Sequence, residues 1–166
     1  MAWLLQASAD RSAAERLVAD EEGTGSCHAI AKWQQTVEKA VKALVSALRE
    51  ARVFGTGVRA RHEVERYVDA LLRLPRGEGN RTIQKLLYGL LDQNTRTAIK
   101  ALDSLAPTMP PRRNTEYPFL DASGRWTYPA AEGVFSREEI RTFRDLAHRV
   151  LEGAGRIVSA IRRRPR

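Results

Sequence analysis

Arg141, Arg144 and His148 are the residues whose types and spacing come nearest to a chemical site. Around them Ile140, Phe143, Ala147, Val150, Ala154, Ile157 and Ile161 recur at steps of three and four, the period of an amphipathic helix. On that helix residues 141, 144 and 148 share one polar side, so two guanidiniums and an imidazole can jointly face a ligand. A solvated, arginine-rich face also accounts for them. His28 and His62 lack ligand spacing for zinc; they read as a solvated residue and a helix N-terminal residue with a local hydrogen bond. Cys27 is the sole cysteine, which excludes an intrachain disulfide, and it reads as a buried thiol rather than a nucleophile. Gly55-Thr56-Gly57 and Gly77-Glu78-Gly79 lack the Gly-Lys-Ser or strand context of a phosphate loop, and no Ser-His-Asp signature is legible. No metal and no cofactor is expected.

The elements that must position these residues centre on 26–52. Ile30, Val37, Val41, Leu44 and Leu48, with Trp33 and Val45 alongside, form one broad apolar face. Lys32, Gln35, Glu38, Lys39 and Lys42 occupy the opposite face and read as a polar, solvent-facing stripe. Residues 2–20 predict a first helix, joined through a short loop to the second as an αα-hairpin. His62 to Leu74 predicts a third. Between 82 and 105 helical spacing returns, and whether one helix or two is left open, with Asn94-Thr95 as a candidate interruption. Pro107 to Pro111 stops the helix, and no period survives to Phe135. This long aromatic and Pro-rich loop, 107–135, holds Tyr117-Pro118-Phe119 and Trp126-Thr127-Tyr128-Pro129, which predict packing on the bundle. No strand pattern stands out. Ser136-Arg137-Glu138-Glu139 is a capping box that opens the last helix, and 162–166 is a basic tail.

The chain of 166 residues predicts one all-α domain, an up-and-down bundle of four to five helices. Trp3-Leu4-Leu5 is too short for a signal peptide core, and no apolar run is long enough to span a membrane, so a reducing cytoplasm is the expected location. Net charge is +8, with arginine supplying 23 of the 28 basic residues, which suits an anionic partner and nucleic acid above all.

Gln34-Gln35-x-x-Glu38-Lys39-x-x-Lys42-Ala43-Leu44 resembles the second helix of the HEPN (higher eukaryotes and prokaryotes nucleotide-binding) domains. Trp3-Leu4, Ala7 and Asp10 stand where that family's first helix has Trp-Leu and Ala-x-x-Asp, and His62-Glu63-Val64 is similar to its third helix start. The resemblance implies a HEPN-like bundle from a prokaryotic toxin–antitoxin or defence module. It also implies a homodimer, a nucleotidyltransferase-family partner, and binding of RNA or nucleotide. HEPN ribonucleases carry an Arg and a His separated by four to six intervening residues in a late helix, which Arg141 and His148, with six between them, match. The implied reaction is metal-independent: a 2′-hydroxyl attacks the adjacent phosphate, His148 handles the proton, and Arg141 stabilises the developing charge. Val150 stands where that motif has an aromatic residue, so the reading is a binding module without a complete nuclease motif, with a ribonuclease toxin as the alternative. Arg112 to Pro118 resembles the Thr-Arg-Tyr-Pro-like element of non-nuclease members. Glu116 replaces its Arg, and Arg112 or Arg113 can take over the phosphate contact beside Tyr117, with Arg144 contributing from the last helix. Tyr117-Pro118 also reads simply as a loop anchor.

Overall fold

Apolar residues at three- and four-residue steps fold the chain into six helices among the described residues. They are α1 (Ala2–Ala19), α2 (Ser26–Glu50), α3 (Val64–Leu72), α4 (Arg81–Leu90), α5 (Gln93–Asp103) and α6 (Arg137–Arg162). Two short antiparallel strands, β1 (Phe119–Leu120) and β2 (Trp126–Thr127), lie between α5 and α6. This computed structural model describes residues 1–19, 25–53, 64–74, 80–106, 112–131 and 133–163. The expected helix start at His62-Glu63 and the stop at Pro107–Pro111 lie outside those residues, as does most of the basic tail.

The α2 helix is the axis of the bundle, with α1 packed along one side and α6 along another. Ile30, Trp33, Val37, Val41, Leu44 and Leu48 are all buried, as the apolar periodicity requires. The alanines between them, including Ala29, Ala40 and Ala43, are buried too and let neighbouring helices approach. Gly25 permits the tightest approach: a Cβ there would collide with the Leu17 backbone carbonyl at the end of α1. Gly153 of α6 does the same against α4, where a Cβ would meet the side chain of Leu90. The α6 stripe of Ala147, Val150, Ala154, Ile157 and Ile161 is therefore consumed inside the subunit. Among the described residues, no helix is long and apolar enough to cross a membrane.

Three expectations are corrected. The bundle has six described helices rather than four or five, because 81–103 is two helices broken at Leu91-Asp92. Asp92 adopts an extended backbone and its carboxylate accepts the Thr95 N–H at 2.8 Å, so it caps α5 and restarts the chain in a new direction. Strand pairing exists where none was expected, since the segment is too short for alternation to register. Finally, the Lys39 and Lys42 stripe of α2 is not solvent-facing. It lies beneath α1, where Lys39 pairs with Asp10 and Lys42 sits 5.3 Å over the Trp3 ring while pairing with Glu38. Lys32 adds a second cation 3.5 Å from Asp10.

Side chains also tie the small helices to the frame. Gln34 donates to the Leu102 carbonyl at 3.2 Å, and the Tyr88 hydroxyl donates to the Leu72 carbonyl at 3.1 Å. Burial, followed by the charges of Glu38 and Glu65, pushes the Asp103 carboxyl up against the opposing pull of the backbone N–H groups at the start of α3.

The end of α2 is a Schellman turn with an unusual residue. The Val53 N–H donates to the Leu48 carbonyl and the Arg52 N–H to the Arg49 carbonyl, both at 2.9 Å. Arg52 accordingly takes a left-handed φ of 56°, which costs a residue with a Cβ about 1 kcal/mol. Arg52→Gly is expected to raise stability by up to about 1 kcal/mol, since the strain relieved is partly offset by the greater freedom of glycine in the unfolded chain. An unchanged or lowered urea midpoint would show that the arginine side chain contributes as much as its backbone strain costs.

Candidate functional site

The start of α6 is fixed by a reciprocal cap. The Glu139 N–H donates to Ser136 Oγ at 3.1 Å, and the Ser136 N–H donates to Glu139 Oε2 at 2.9 Å. From that anchor the helix turns Phe143, Leu146, Ala147 and Val150 into the core, which leaves Arg141 and Arg144 exposed on the outer side. The Arg141 side chain makes no hydrogen bond or ion pair with the described residues. Arg144 reaches only its neighbour Asp145, at 3.8 Å.

His148 is placed differently. Its Nε2 lies 2.7 Å from Glu15 Oε1 of α1, and each side chain is 38% exposed. The carboxylate fixes the ring at the α1–α6 seam while leaving it within reach of a ligand. Arg144 stands between Arg141 and His148, three residues from one and four from the other, so the three form a single row along the helix. Arg141 and His148 are themselves separated by about 10 Å of helix axis. One residue beyond His148, Arg149 pairs with Asp92 at 2.6 Å and ties α6 to the cap of α5. Chemically the row offers two exposed cations and one carboxylate-held imidazole, a set suited to an anion. Val150, where the ribonuclease motif has an aromatic, is fully buried in the core.

The second candidate group divides. Arg112 and Tyr117 are exposed. Arg113 is clasped by Glu139 through paired hydrogen bonds of 2.9 and 3.0 Å, and its guanidinium lies 4.5 Å from the Phe135 ring centroid. Both contacts hold the loop to the first turn of α6. The Arg113 guanidinium, ahead of the Ser136 backbone N–H, holds the Glu139 carboxyl below its usual range against the opposing effect of burial. A carboxyl depressed in the folded state stabilises above its unfolded pKa, and that contribution fades as pH falls through the folded value. Arg113→Ala is therefore expected to lower the melting temperature at neutral pH and to lower it much less near pH 3, as unfolding curves at both pH values would show. Equal losses at the two pH values would assign Arg113 a packing role over Phe135 instead.

Sequence reasoning passed over Glu15 and the outer face of the hairpin. Glu15 gave no signal because its partner is far away in the chain. The aromatics of this segment were expected to pack on the bundle; Phe119 and Phe135 are buried, but Tyr117, Trp126 and Tyr128 are 53%, 65% and 60% exposed. The thiol of Cys27 is buried, which pushes its pKa up and makes it a poor nucleophile, while His28 is exposed. Among the described residues no group of three or more His, Cys, Asp or Glu could hold a metal ion. Compared with family models, with curated proteins and with solved structures, the chain finds no match, so its own residues carry the functional argument.

Proposed function

We propose that this chain is a HEPN-type module that binds RNA or a nucleotide through the outer face of α6, working as a homodimer with a nucleotidyltransferase-family partner in a toxin–antitoxin or defence setting. The observation that carries the reading is the row of Arg141, Arg144 and His148, two exposed arginines beside a carboxylate-held imidazole. The positions that carry the family resemblance lend support. Asp10 meets Lys39, and Trp3 meets Lys42, so the motif residues of α1 and α2 lock to each other and leave α6 to face the ligand.

The test is RNA affinity as a function of salt. Removing a side chain that touches a phosphate should lower the slope of log affinity against log salt by roughly 0.7 to 1. Arg141→Ala and Arg144→Ala are expected to weaken binding and flatten the slope by that amount each, without changing the fold. An absence of RNA and nucleotide binding at low salt would overturn the reading and leave the protein partner.

A second reading, a metal-independent ribonuclease, is favoured by one contact. Glu15 holds His148 as a carboxylate holds a general base. RNA cleavage in EDTA that disappears in His148→Ala would establish it. The absence of cleavage, with RNA binding intact, would select the binding module. In either reading the shared cleft needs two subunits, so light scattering should give twice the chain mass.

A further inference from the structure

We infer that the β1–β2 hairpin is a stacking platform for the unpaired bases of a single-stranded nucleic acid. This deepens the RNA-binding reading and rests on it. Trp126 and Tyr128 are two positions apart and largely open to water, with the half-buried Thr127 between them paired to the buried Phe119. Tyr128 directly follows β2, and with Thr127 extended, residues i and i+2 share a face about 7 Å apart. Tyr117 adds a third open ring at the foot of the same segment.

The backbone at both ends of the hairpin that carries these rings is tied down by hydrogen bonds. Asp121 Oδ1 accepts the Ser123 N–H at 2.8 Å, the Ser123 hydroxyl at 2.6 Å and the Arg125 N–H at 3.0 Å, which closes the turn. Gly124 completes it with a φ of 76°. At the foot, the fully buried Asn114 accepts the N–H groups of Glu116 at 2.9 Å and Tyr117 at 2.6 Å and donates to the Arg112 carbonyl at 2.9 Å. The Arg113–Glu139 clasp then fastens that foot to α6. Backbone ordering that a loose loop would undergo on binding is already complete.

Chemistry selects the occupant. The large apolar side chains exposed on this segment are all flat rings, whereas Leu120 and Val134 are drawn partly into the structure. An aliphatic protein face would bury little here; a base presents a π surface of matching shape. Charge agrees in sign. Asp121 is turned into its own loop, so among the described residues of the hairpin, 112–131, Glu116 is the exposed acid, against Arg112 and an Arg125 side chain that is 82% exposed although 3.7 Å from Asp121. The rings would supply most of the contact, with the α6 arginines just beyond the clasp attracting the phosphates.

Fluorescence anisotropy with labelled oligouridylate, and with a duplex RNA of equal length, separates the outcomes. Trp126→Ala and Tyr128→Ala should each weaken single-strand binding about fivefold or more. Neither should change the salt slope, because stacking releases no counterions. Trp126→Phe should restore most of the affinity. Trp33 is fully buried, whereas Trp3 on α1 is 42% exposed beside Lys42, so the share of tryptophan quenching that belongs to Trp126 is the share lost in Trp126→Phe, and most of it should be lost there. Binding that ignores the hairpin substitutions but falls in Arg141→Ala and Arg144→Ala would overturn the platform and leave the α6 reading standing. Equal affinity for the duplex would also overturn it, and a wild-type chain that binds no RNA at low salt would overturn both.

Discussion

Leu44→Ala is expected to lower the free energy of unfolding by about 2–5 kcal/mol, since it deletes aliphatic bulk from the centre of the core. Leu44 is fully buried on α2, the helix against which α1 and α6 both pack. The loss combines a transfer term with a cavity term, and the cavity term is large where neighbours cannot close in. Here Ala40, Ala43 and Ala47 around it are buried, so the neighbouring helices already lie close and leave little room for collapse. Urea melts should show a lower midpoint with an unchanged slope. A loss below about 1 kcal/mol would mean the helices slide together to fill the gap and would remove α2 from the centre of the fold.

Burial of this kind was legible in the sequence because it is periodic. The apolar face of α2 and the stripe on α6 both follow steps of three and four, and the α6 cap follows from Ser136 and Glu139 alone. What stayed hidden depends on pairs distant in sequence. Periodicity identifies which residues are apolar, not whether a polar stripe faces water or a carboxylate. The Lys39 stripe therefore read as solvated, although Asp10 of α1 waits opposite it. His148 and Glu15 meet across 133 positions, a separation that no local pattern encodes. The break before α5 was suspected near Asn94-Thr95 but falls at Asp92, because a cap is defined by where the backbone leaves the helix. On the hairpin, the aromatics read as packing the loop on the bundle, yet Tyr117, Trp126 and Tyr128 face outward, since aromatic character alone does not fix a facing. In a two-strand pair, the pleat decides it, turning Phe119 inward and Trp126 outward.

The pair hidden from the sequence gives the second large effect. Asp10 is 4% exposed, and it neutralises Lys39, whose side chain keeps 20% of its exposure, and Lys32, which keeps 38%. Asp10→Ala would leave two ammonium groups facing α1 without a counter-charge. Breaking a fully buried pair costs about 3–5 kcal/mol. Because both lysines retain a path to water, about 1–3 kcal/mol is expected here. Lys39→Ala should cost less than Asp10→Ala, because Lys32 remains 3.5 Å from the carboxylate. Replacing both partners, as Asp10→Ala with Lys39→Met, should be less damaging than the sum of the single changes, since no charge is then left stranded at that contact. A double-mutant cycle in urea measures that difference. Additive losses, or an Asp10→Ala chain within about 0.5 kcal/mol of wild type, would show that α1 is held to α2 by apolar contact alone.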